Sequence, residues 1–300
     1  MRKKICYILL SSLFLSTAVF SQDSTLLNML TDSMTNQGDK GIVTQTFKAT
    51  QIINLPTVEA PKRNNMQFLI MHRFGKINDG AYEFFGLDNA DIRLALDYGI
   101  TDRFAIGIGR SSLDKTFDGS FKWKILQQSK RMPVTVSLYE LITNTTLKYE
   151  DKPYLDAKLR TAYTSQLLIA RKFSRNLSLQ FSPAWTHYNL VPTPEDKNDV
   201  ITLSMGGRMK ITKRMSINAE YNYILPDQIV STTAYNSLSL GLDIETGGHV
   251  FQLVFSNTQG MIGPWYLTKT SGTWGNGDIY FGFNISRSFN FNKEKEAKKW

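Results

Sequence analysis

The chain is almost without cysteine. Its one thiol, Cys6, lies in the apolar stretch at the N-terminus. Once that stretch is removed, disulfides, thiolate metal sites and cysteine nucleophiles are all excluded. Histidine is scarce as well: His72, His187 and His249 are the whole set, and none has a carboxylate or a second histidine at metal-ligand spacing. Long apolar runs are missing. After residue 20 none reaches the length of a membrane helix, which excludes a helical membrane protein. No phosphate-cradling loop or dinucleotide fingerprint occurs, so no cofactor is expected. Gly107-x-Gly109 sits in a strand pattern with no helix behind it and reads as a close-packed or bulged strand. The net charge of +9 is modest and dispersed, which argues against a nucleic-acid partner.

What is present begins with an export signal. Arg2, Lys3 and Lys4 precede an apolar core at 5–20, and Val19-Phe20-Ser21 offers a cleavage site before Gln22. Residues 1–21 are therefore read as a signal peptide. Residues 22–65 read as a periplasmic lead-in or partial plug. Leu26, Leu27, Leu30 and Met34 follow a helical spacing, and 47–55 (FKATQIINL) reads as a strand ahead of Pro56 and Pro61.

From Met66 onward the pattern becomes regular. The run 278–291 places Ile279, Phe281, Phe283 and Ile285 on one parity and Gly282, Asn284, Ser286 and Ser288 on the other. Successive strand side chains point to opposite faces, so one face is greasy and the other small and polar. Similar alternation predicts strands at 66–74, 91–99, 103–111, 119–126, 134–143, 159–173, 177–188, 200–211, 215–225, 237–245, 249–257 and 278–291. Their connections alternate between short turns and long loops. Lipid outside, polar lumen inside and short turns gathered on one rim are the marks of an outer-membrane barrel. The fold class is thus all-β: an antiparallel up-and-down transmembrane β-barrel of about 12 strands over 66–291, followed by a charged periplasmic tail, 292–300. Pro183 inside a strand predicts a bulge. Aromatics near strand ends, among them Tyr98, Phe173, Trp185, Tyr188, Tyr221 and Phe255, predict interfacial girdles.

Several strings carry a resemblance: MHRFG (71–75), FFGLDNADIRLALDYGITDRFAIGIGRSS (84–112), KTFDGSFKWKILQQS (115–129), GGHVFQLVFSNTQGM (247–261) and GDIYFGFNISRSF (277–289). They resemble a family of uncharacterised outer-membrane β-barrels of Bacteroidota, known as a domain of unknown function. The likeness spans most of 45–290 and is weaker at 47–61. It implies an outer-membrane barrel and no particular activity.

Parity assigns a lumen set of Arg73, Asp91, Arg93, Asp97, Lys122, Lys124, Arg208, Glu220 and Asp243, with Lys172 and Lys210 completing a basic excess. Such charges either line a water-filled pore or pair across strands and close it. The favoured function is a passive channel or facilitator for small solutes. The alternative is a closed-lumen anchor or interaction protein that binds a partner through its loops or periplasmic ends. The partners in view are outer-membrane lipid, a small solute, and a periplasmic or surface protein. An enzyme is not expected: a lipid-active barrel with His-x-Ser on its outer face has no counterpart in His72-x-Phe74, His187-x-Asn189 or His249-x-Phe251. Parity also predicts that arginine is tolerated better at Ser239, facing the lumen, than at Leu240, facing lipid.

Overall fold

The structure, a computed structural model, describes residues 41–148 and 150–291. The expected signal peptide, the helical spacing at 26–34 and the tail 292–300 lie outside the described residues. From Ile42 onward the chain forms one unit. It contains β1 (Asn65–Lys76), β2 (Ala90–Gly99), β3 (Phe104–Ser111), β4 (Thr116–Leu126), β5 (Thr135–Thr145), β6 (Thr161–Lys172), β7 (Leu177–Tyr188), β8 (Asp199–Lys210), β9 (Met215–Ile224), β10 (Ser237–Thr246), β11 (His249–Ser256) and β12 (Tyr280–Asn290). A short α-helix, α1 (Gly263–Thr268), interrupts the last long loop.

Every strand pairs antiparallel with its sequence neighbours. β1 pairs with β12 from Asn65↔Asn290 to Lys76↔Tyr280, so the sheet closes into a barrel without edges. The connections 100–103, 127–134, 173–176, 211–214 and 247–248 share one rim. The longer loops, with 112–115 the one short exception, occupy the other.

The face pattern inverts that of a water-soluble protein. Along β2, Ile92, Leu94, Leu96 and Tyr98 are exposed while Arg93 and Ala95 are buried. The outward band continues through Ile106, Ile108, Leu179, Phe181, Ile217 and Leu240. Apolar outside and polar inside is the order that lipid imposes on a barrel. Leu240→Arg is therefore expected to lower the yield of heat-modifiable barrel, since a cation near the middle of a lipid face costs about 2–4 kcal/mol. Wild-type yield for that variant would show that this face does not meet lipid.

Three expectations change. Pro183 makes no bulge: the β6–β7 ladder opens between Gln166↔Ala184 and Ile169↔Phe181 and resumes in the same register. Proline has no N–H to give the ladder, and the gap absorbs that loss. Tyr188 leaves the girdle and points inward, its hydroxyl bonded to Pro264 O and Thr268 Oγ1. The segment 47–55 is not a strand. A closed barrel offers it no edge, and it forms a bent loop whose only bridge is Gln51↔Pro56.

Candidate functional site

The bent loop is the centre of the molecule. Residues 46–61 enter the barrel from the short-turn rim as a lasso. Its neck is closed by Thr46 N donating to Glu59 Oε1. Thr57 N to Thr50 O and Ile52 N to Leu55 O hold its arms together. At the tip, three successive amides converge on one carboxylate. Ile53 N and Leu55 N donate to Glu220 Oε2 at 3.1 and 2.9 Å, and Asn54 N donates to both Glu220 oxygens at 3.0 Å. Glu220 is 2 % exposed. A buried anion is tolerable only with such partners, and three amide dipoles aimed at one carboxylate supply them.

The rest of the inner wall is committed in the same way. Arg73, fully buried, donates to Asn54 Oδ1, Asn284 Oδ1 and His72 O. Asn284 and Gln252 donate to Ile53 O and Ile52 O. Gln180 donates to Pro56 O and accepts from Val58 N. Lys122 donates to Thr50 O and Glu59 O, and Lys124 pairs with Glu59 at 3.1 Å. Asp97 accepts from Thr50 Oγ1 at 3.5 Å. The remaining residues of the expected set contact wall rather than lasso. Arg93 pairs with Asp118, Arg208 with Glu245 and Asp243, and Asp91 accepts from Ser112. Asp118, Glu245 and the lasso's own Glu59 were not among the expected groups, and they bring the two signs close to balance.

Apolar packing completes the filling. Phe47, Ile52, Ile53, Leu55 and Val58 form one cluster with wall residues Leu168, Ala170, Ala184 and Val254, and with Tyr266 and Leu267 of α1. The wall makes room for the tip: a Cβ at Gly206 would stand 2.5 Å from Ile52 Cδ1. α1 comes from the long-loop rim, and all six of its residues are buried. Lasso and helix thus meet inside the barrel. Two cavities beside the lasso are about 20 Å³ each, room for about one water apiece. The tolerance expected of arginine at Ser239 does not survive this filling, because Ser239 is fully buried and its hydroxyl faces Asn54.

Above α1, the long loops enclose a cup of about 380 Å³. Its floor carries Trp265, Thr268 and Lys269. The wall beyond is anchored by carboxylates. Asp196 accepts from Val230 N, Ser231 N and Thr193, so its carboxyl lies well below the usual range, chiefly through the Ser231 hydrogen bonds. On the opposite side Asp278 ties loop 257–279 to β1. The Asn78 amide, then the Thr273 amide and Lys76, hold its carboxyl down to about 2. A depressed carboxylate stabilises the fold above its unfolded value of about 3.9, and that contribution is lost as pH falls through the folded value. Trp274 fluorescence is expected to report release of this loop near pH 2, and Asp278→Asn to abolish the transition. A midpoint near pH 4 would mean that the carboxylate is not anchored.

The histidines do not assemble a catalytic site. His72 lies on the outer face, stacked 5.0 Å from Phe283 and tilted against Phe74 at 4.5 Å. His249 faces outward at the short-turn rim, opposite Arg287. His187 binds Asp199 at 2.8 Å. The hydroxyl diagonal to that pair, Ser165, is bonded to Glu140 instead. Among the described residues no cluster suited to a metal ion occurs.

Residues 47–289 match a family described as a membrane-bound beta barrel domain. No curated protein is similar to the chain. Among solved structures, the NanC porin is similar at 11 % identity, covering 75 % of this chain and 99 % of its own, with a TM-score of 0.47. The KdgM porin is similar at 9 % identity, covering 74 % and 99 %, with a TM-score of 0.46. Likenesses this distant bear on neither solute nor mechanism.

Proposed function

Because the chain belongs to the family of membrane-bound β-barrel domains, we propose that it works as a closed-lumen outer-membrane barrel, an anchor that binds a partner at its ends. The signal peptide and the sorting of turns by length support export, with short turns in the periplasm and long loops outside. The observation that carries the closed lumen is the Glu220 carboxylate capping three consecutive lasso amides. A water-filled pore would leave that carboxylate to solvent. In this reading the lumen charges fasten a plug, and no reaction is involved.

A second reading, a passive channel for small solutes, is favoured by one feature. The wall behind the lasso carries Arg73, Gln180, Glu220, Gln252 and Asn284, which could be hydrated if the lasso withdrew. Planar-bilayer recording of refolded protein decides between them. The wild type is expected to be silent, and deletion of 46–61 to produce open steps. Steady conductance by the wild type would overturn the closed lumen.

A further inference from the structure

The cup above α1 has the size and chemistry of a ligand site. Its volume of about 380 Å³ falls within the range of about 300–1,000 Å³ usual for small-molecule pockets. Its lining includes the aliphatic side chains Leu155, Leu159 and Leu190. Thr145, Thr161 and Thr232 add hydroxyls to the same lining.

The charged groups of the cup differ in how they are occupied. Four cations, Lys152, Arg160, Lys197 and Lys269, face two carboxylates, Asp114 and Asp196. Both carboxylates already have donors. Asp114 accepts from the Trp265 indole at 2.9 Å, and Asp196 accepts from the Val230 and Ser231 amides. Arg160 is turned toward the carbonyls of Leu147 and Leu155 in its own loop. Lys269 is different. It is exposed on the cup floor, and its ammonium sits 5.0 Å from the Tyr188 ring and 4.9 Å from the Trp265 ring. Among the described residues it makes no ion pair. Two aromatic rings fix the position of a cation without neutralising it, as a carboxylate would. The ammonium lines the cup, where the Asp114 carboxylate also acts on it electrostatically.

We propose that this cup binds a small polyhydroxylated acid, a carboxylated sugar ring. The carboxylate meets Lys269, the apolar face of the ring packs on the leucines, and ring hydroxyls meet the threonines. The inference deepens the closed-lumen reading and rests on it, because the floor of the cup is the helix that fills the lumen. It also gives the outward-facing end of the anchor a class of ligand.

Isothermal titration of the refolded full chain tests it, with D-glucuronate and D-glucose as probes. Glucuronate is expected to bind saturably and at least about tenfold more tightly than glucose, a difference of about 1.4 kcal/mol. Lys269→Gln is expected to remove that preference while the protein stays heat-modifiable, and Lys269→Arg to keep it. Absence of saturable binding at concentrations up to about 10 mM, well above a Kd of about 1 mM, would overturn the proposal. So would equal affinity for the two sugars, or an unchanged preference in a folded Lys269→Gln variant. These outcomes are separate from conductance: a silent protein that ignores glucuronate loses the cup and keeps the closed lumen.

Discussion

Glu220→Ala is expected to loosen the lasso without unfolding the barrel. The change strips the acceptor from the amides of Ile53, Asn54 and Leu55. Each buried amide left without a partner costs about 1–3 kcal/mol. Water entering the vacated space offsets part of this, leaving about 3 kcal/mol against the seated tip. That corresponds to about a hundredfold in the ratio of seated to released lasso. The other contacts, from Gln180, Gln252 and Asn284 to the lasso carbonyls, keep it seated most of the time. Hydrogen exchange of the 53–55 amides is therefore expected to accelerate about a hundredfold, with the strand amides unchanged. Brief conductance openings are expected to accompany it. Glu220→Gln retains one acceptor oxygen and should fall between the two. Unchanged exchange at 53–55 would show that the tip is held by its apolar contacts alone.

The wall and the plug were unequally legible for a physical reason. A strand between lipid and lumen must alternate at every residue, so parity located all twelve strands to within about three residues at most ends. A plug obeys no such period. The lasso bonds to side chains scattered over the wall, and FKATQIINL imitates a strand because it too turns apolar groups both ways. One usable signal did exist. Leu69, Met71, Leu141, Leu168 and Val254 lie on the inner parity and are buried. Apolar side chains have no reason to face a hydrated lumen, and five of them on one interior imply that something greasy fills it. Asp118 was missed for a local reason. β4 begins at Thr116, but Gly119 and Ser120 interrupt its alternation, so the legible pattern starts at 119 and Asp118 reads as loop.

That missed residue changes what Arg93 is for. Beside Asp91 and Asp97 alone, it reads either as a selectivity residue or as a cation that staples the lumen. In the structure it is 5 % exposed and meets Asp118 through two bonds, Nη2 to Oδ2 at 2.6 Å and Nε to Oδ1 at 3.2 Å. The neighbouring strand is cut to fit this pair. A Cβ at Gly109 would stand 2.7 Å from both Asp118 oxygens and 2.9 Å from Arg93 Nη2, and one at Gly107 would stand 2.4 Å from Asp97 Oδ1. The Gly107-x-Gly109 pattern is thus a close-packed strand, without a bulge. Arg93→Met is expected to destabilise the barrel by about 3–5 kcal/mol, since Asp118 is left buried without its cation. Arg93→Glu should cost more, because it sets a second carboxylate against Asp118. Replacing both partners, Arg93→Met with Asp118→Leu, removes the stranded charge and is expected to recover most of the loss. Unfolding midpoints in urea for the two single variants and the double variant measure the coupling. If the two losses simply added, Arg93 and Asp118 would act independently and the glycines of β3 would need another explanation.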